Sequence, residues 1–200
     1  MLAGGAVVCT AAAVVAYARW RRQKRRRVLV VGSINVDLYQ RTDGGAVRFG
    51  GVPVDVEPIK GMTLPAGSFV AHPRIRMQPG VTPHRPGEEE AFLLTMDGPF
   101  EQRTGGKGAN AAAAAAQTFG CELFGNLGES SSAENAALAR DLAAYGAVGT
   151  RHVRTLRGLP TGTAYILLFG DNDNTILLLG GANQARCSRT FTLLTLSTAV

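Results

Sequence analysis

The stretch Thr104-Gly105-Gly106-Lys107-Gly108-Ala109-Asn110 runs straight into six consecutive alanines. Glycines let a ligand come close to backbone N–H groups. A helix beginning there presents unpaired N–H donors and the positive end of its dipole. Lys107 and Asn110, one turn apart, add side-chain donors on one side of that helix. Such residue types in that order make a ligand site; a plain glycine-rich loop before an alanine helix is the alternative, since short glycine motifs match by chance. Two phosphate loops are excluded by spacing. The P-loop pattern fails because Gly108 follows Lys107 where Ser or Thr is needed, and Glu101 stands at the first glycine. The dinucleotide pattern fails because Ala111 replaces its third glycine.

A second set of polar groups lies upstream. Val28-Leu-Val-Val-Gly32-Ser33-Ile34-Asn35-Val36-Asp37 is an apolar run ending in Gly-Ser, with Asn35 and Asp37 two residues apart. A buried strand followed by a turn places both at the strand's carboxyl end, where open α/β sheets bind ligands. The ordered pair, Gly-Ser-x-Asn-x-Asp and then Gly-Gly-Lys-Gly-Ala-Asn, resembles the ribokinase branch of the PfkB carbohydrate kinases. The similarity continues through Gly125-Asn-Leu-Gly128-Glu129, Pro160-Thr161-Gly162-Thr163-Ala164 and Gly180-Gly181-Ala182-Asn183, and covers residues 28–184 with one large insertion. Asn126 stands where relatives usually have an acidic residue.

That resemblance implies an α/β fold: a ribokinase-like three-layer αβα sheet with a β lid, its C-terminal part missing. It also implies transfer of the γ-phosphoryl group of ATP, with Mg2+, to a sugar hydroxyl. Ribose is the leading sugar, giving ribose 5-phosphate; adenosine, fructose and other sugars are alternatives. Asp37 would accept hydrogen bonds from sugar hydroxyls, Asn35 and Asn110 would donate and accept, and Lys107 would donate. Gly105 and Gly106 would allow backbone approach. The family's Gly-Ala-Gly-Asp motif, whose aspartate is the catalytic base, does not occur in these residues. Its Asn-x-x-Glu metal motif is read as absent too, so the ATP and Mg2+ sites are expected outside this chain. No residue is read as catalytic and none as a metal ligand. A non-catalytic half-kinase, either sugar-binding or dimerising, and a non-functional gene fragment are the other readings; the lid is the candidate surface for a homodimer.

The elements that must position these residues follow from pattern and composition. The 200 residues divide into an apolar leader with a basic cluster (1–27), the kinase-like part (28–185) and an aberrant tail (186–200). Seven of the 21 basic residues lie in 19–27, so the net charge of +6 is local and the body is near neutral. This gives the body no electrostatic case for nucleic acid. Residues 2–18 carry no charge, and Trp20 and the arginines follow, as in a short membrane anchor facing the cytosol. Organelle targeting and a cytoplasmic protein with a misassigned start are the alternatives. Three scattered cysteines and three scattered histidines make no disulfide or metal framework.

Residues 38–104 hold eight of the nine prolines, which excludes a long helix there. They are read as an enlarged lid with short strands at 46–49, 69–71 and 91–96, and Pro86-Gly87-Glu88 resembles the opening of the lid hairpin. Further on, 108–118 reads as a helix stopped by Gly120, 122–125 as a strand and 130–145 as a helix capped by serines and stopped by Gly146. Residues 152–155 read as a strand. Residues 163–169 and 175–179 form a hairpin across an Asp-Asn-Asp-Asn turn, which lacks the glycine and distal glutamate of a calcium loop.

Overall fold

In this computed structural model residues 27–77, 87–129, 132–144 and 148–185 are described. The proposed leader at 2–20, the serine caps at 130–131, Gly146 and the tail lie outside them. Among the described residues no helix is long and apolar enough to cross a membrane.

Two bodies share the chain. The first is a parallel sheet in the order β1–β7–β8, built from β1 (Arg27–Val31), β7 (Gly120–Gly128) and β8 (Gly149–Leu156). Two helices pack on it: α3 (Lys107–Ala116) and α4 (Ser132–Ala144). Alternate residues of β7, namely Cys121, Leu123 and Leu127, are buried with Ala109, Ala112 and Ala116 of α3 and Leu138 and Leu142 of α4. The alanines recur every three or four residues, so one stripe of α3 faces the sheet, and their small size brings the helix close. Both helices therefore cover one face. On the other, Leu29 and Val31 are 51% and 55% exposed, so β1 is not the buried strand its sequence suggests. Gly120 does not end α3; Gln117 is its C-cap, and Gly120 opens β7 opposite Arg27.

The second body is a five-stranded mixed sheet in the order β5–β10–β9–β2–β6. Its strands are β2 (Asn35–Arg41), β5 (Thr63–Pro65), β6 (Glu101–Gly105), β9 (Gly162–Leu168) and β10 (Asn174–Leu179). β9 and β10 form the expected hairpin, and β2 lies parallel to β9 and antiparallel to β6. Tyr165, Leu167, Leu177 and Leu179, alternate residues of the hairpin, are buried under the insertion. The insertion supplies a small hairpin of β3 (Ala46–Phe49) and β4 (Val52–Asp55), a 3-10 turn (Glu57–Ile59), and two five-residue helices, α1 (Ala66–Val70) and α2 (Glu89–Leu93). Residues 69–71 and 91–96 were expected as strands; α1 and α2 stand there instead. Gly87-Glu88 likewise leads into α2 and not into a hairpin. The reason is packing: the helical turns turn Phe69 and Leu93, both fully buried, into the same core as Phe49. Phe49 stacks on Phe92 at 4.7 Å and on Phe69 at 5.9 Å. Thr175 Oγ1, itself buried, donates to the Ile59 carbonyl at 2.7 Å and joins insertion to hairpin.

Candidate functional site between the two bodies

The chain crosses from the first body to the second at residues 32–34 and returns at 105–107, and these two crossings touch. Gly32 and Gly108 meet backbone to backbone: a Cβ at 108 would stand 2.5 Å from the Gly32 carbonyl carbon, and one at 32 would stand 2.7 Å from Gly108 Cα. Gly106 has φ +94°, which L side chains rarely adopt. Ser33 then closes the start of α3: its Oγ accepts the Lys107 N–H at 3.2 Å and its carbonyl accepts the Ala109 N–H at 3.1 Å. The helix start was expected to offer free donors; two of them are already taken inside the chain.

Asp37 sits on β2 directly opposite Arg103 of β6, with Asn35 opposite Gly105. The Asp37 carboxylate lies where a Cβ at 105 would be, so Gly105 makes room for a side chain of this protein. Oδ1 of Asp37 is buried without a hydrogen-bond partner. Burial favours the neutral acid and lifts its pKa from 3.8 to about 6. A cavity of about 260 Å³ opens beside it. Asp37, Tyr39, Arg103 and Thr104 form its strand wall, Ala109, Asn110 and Ala113 its helix wall, and Leu142 of α4 closes the back. Arg103 lies 5.2 Å from the Tyr39 ring and donates through Nε to Glu101 at 2.8 Å.

Of the six residues read from the sequence, Asp37 and Asn110 line this cavity. Gly105 and Gly106 are buried behind it. Asn35 lies to one side, its Oδ1 accepting from Asn183 Nδ2 at 2.8 Å. Asn183 also accepts the Ile34 N–H at 3.1 Å and donates to the Ile34 carbonyl at 3.0 Å, pinning the first crossing to the turn at Gly181–Gln184. Lys107 is exposed at the helix start and is not among the lining residues. Tyr39, Arg103 and Thr104 were missed. Strand alternation from Asp37 points to Tyr39; no local signal pairs β2 with a strand 60 residues on.

The metal motif read as absent does occur in the sequence, as Asn126-x-x-Glu129. Its side chains are engaged, however: Asn126 Nδ2 donates to the Ala182 carbonyl at 3.3 Å, and Glu129 Oε2 accepts the Gly158 N–H at 3.0 Å. Among the described residues no three His, Cys, Asp or Glu side chains gather as a metal ligand set. No step is derived through Mg2+.

An acceptor carboxylate, amide and guanidinium donors and an alanine floor suit a small polyol, whose hydroxyls meet the polar wall while its C–H face rests on the alanines. The fold is α/β, with this cleft between its two sheets. A probable sugar kinase from Rhizobium etli has the same fold, with a TM-score of 0.50 and 20% identity, covering 80% of this chain and 40% of its own. A ribokinase from Cryptococcus neoformans var. grubii, solved with ADP, is 26% identical with a TM-score of 0.49, over 85% of this chain and 39% of its own. No family model matches the chain. Ribokinase of Arabidopsis thaliana is 41% identical over 82 residues, 40% of this chain and 21% of that protein. The chain thus resembles ribokinase in sequence over those 82 residues, as its motifs suggested, and it spans well under half the length of the proteins it matches.

Proposed function

We propose that this chain forms the sugar-binding part of an ATP-dependent, ribokinase-like carbohydrate kinase acting on ribose. The observation that carries the reading is the Asp37 carboxylate, buried with Oδ1 unpartnered, in one cavity with Asn110. A hydroxyl-bearing ligand gives Oδ1 the donor it lacks, and a buried acceptor gains most from such a bond. Asn110 and Arg103 donate to the ligand's oxygens and fix its orientation, and Ala109 and Ala113 exclude water from its apolar face. ATP, when bound, supplies the phosphoryl group; phosphoryl transfer rests on positioning and on stabilising spread charge.

A binding role without turnover has its own support. Asp37 is the one carboxylate lining the cavity among the described residues, and it is committed to holding hydroxyls, which leaves no group there as base. Calorimetry with ribose and a coupled ATP-consumption assay test both readings on the 200-residue chain. Binding that Asp37→Ala abolishes, without sugar-dependent ATP turnover, is expected. Absence of ribose binding refutes the sugar site, and turnover lost in Asp37→Ala refutes the non-catalytic reading.

A further inference from the structure

We propose that Asp141, on α4, is a positioning residue for the cavity: through Thr104 it holds strand β6, and with it Gly105, against the carboxylate of Asp37. The proposal rests on the sugar-site reading above and adds a residue to it. Asp141 Oδ2 accepts the Thr104 hydroxyl at 2.7 Å in a partly buried contact. The bond joins the two bodies. α4 belongs to the first, its Leu138 and Leu142 buried in the alanine-lined core. β6 belongs to the second, as an edge strand whose ladder partner among the described residues is β2. Three of the five β6 residues, Glu101, Gln102 and Arg103, are exposed.

Position along β6 matters because of what lies next to Thr104. Gly105 is buried, and its missing Cβ is the space that Asp37 fills. A small outward movement of β6 admits water to Oδ1 and widens the gap between Arg103 and Asn110. A hydrogen bond one residue from that contact, made to the helix whose Leu142 closes the cavity, opposes the movement. One to two ångströms of misplacement is enough to weaken a site that depends on several converging donors.

The test reads the Asp37 carboxyl directly, by its carbon chemical shift against pH, with no ligand present. Charges that bear on it are Arg103 and Glu101 on β6, Lys107 at the start of α3 and Asp141 on α4, so the variants must separate charge from tethering. Thr104→Val removes the donor and leaves every charge; its Asp37 midpoint is expected to fall from about 6 by about one pH unit or more, as water enters. Thr104→Ser keeps the donor and Asp141→Asn keeps an acceptor; both are expected to stay near the wild-type midpoint. Thr104→Ala replaces the valine variant if the latter does not fold. An unchanged midpoint in the folded donor-less variant overturns the proposal. So does a midpoint that falls in Asp141→Asn but not in Thr104→Val, which shows charge alone. Ribose affinity is the second readout, expected to fall about fivefold to tenfold in Thr104→Val, matching the loss of about 1 kcal/mol. If the wild type binds no ribose, the sugar reading fails while the titration still decides the role of Asp141.

Discussion

Replacing Asp37 by Asn should make the protein more stable near neutral pH and leave it nearly unchanged in acid. The carboxyl is buried, Oδ1 lacks a partner, and burial lifts its pKa from 3.8 to about 6. Full desolvation of that size corresponds to about 3 kcal/mol; the cavity side is open to solvent, and screening there leaves about 1–2 kcal/mol. The sign follows from the proton count. Between pH 3.8 and 6 the folded protein keeps a proton on Asp37 that the unfolded chain has released. Stability therefore falls as pH rises through that window and is level above it. Asp171 has the opposite tendency, its pKa lowered by the Lys60 hydrogen bond, but it acts below pH 3.8 and is common to both proteins. Urea unfolding of wild type and Asp37→Asn at pH 4 and pH 7.5 isolates the effect as a difference of differences. The expected result is only a small gain for the variant at pH 4, near the lower edge of that window, and a gain of about 1–2 kcal/mol at pH 7.5. Parallel pH profiles would refute the claim that this carboxylate is held against its preference for water.

Gly105→Ala should cost about 2–3 kcal/mol, because its methyl group collides with the Asp37 carboxylate. Adding Asp37→Ala should restore much of that loss in the same urea titration; strict additivity would show that the collision is not the cause. Phe49→Ala should cost about 3–5 kcal/mol, since Phe49 is 2% exposed and stacked between Phe92 and Phe69. Its core does not share a buried residue with that of α3 and α4. Hydrogen exchange should therefore quicken in β9 and β10 and hardly in β7, and equal loss in both would mean one cooperative unit.

The regular elements were legible in the sequence where one signal dominated. The alanine run announced α3, and the polar turn between two apolar runs announced the β9–β10 hairpin. The two short helices were not. Ala-Gly-Ser-Phe-Val and Glu-Glu-Ala-Phe-Leu are five residues each, and runs that short carry no period to separate helix from strand. What decides them is where Phe69 and Leu93 must point, and that depends on β3 and on a hairpin about a hundred residues away. β7 was read as four residues and has nine, because its outer residues pair with β1 and β8 and not with their sequence neighbours. Asp37 and Asn110 were legible through the two motifs that carry them, and both line one cavity. Arg103 was not, since its place depends on the register of β2 against β6.

The glycines of the Gly-Gly-Lys-Gly stretch are the clearest case of a correct location with a different cause. Read locally, they make room for a ligand. In the fold each is occupied by the chain itself: Gly105 by the Asp37 carboxylate, Gly106 by the Ser33 carbonyl, which a Cβ would meet at 2.6 Å, and Gly108 by Gly32. The same crossing spends the first donors of α3 on Ser33. Those donors are thereby unavailable to a ligand at the mouth of the helix. The free polar groups lie one turn further in, at Asn110, and across the gap at Asp37, where the cavity is. The two polar motifs thus meet because their glycines let the two chain crossings touch. The site is as narrow as that contact allows, which is why a single methyl group at position 105 is expected to disturb both stability and binding.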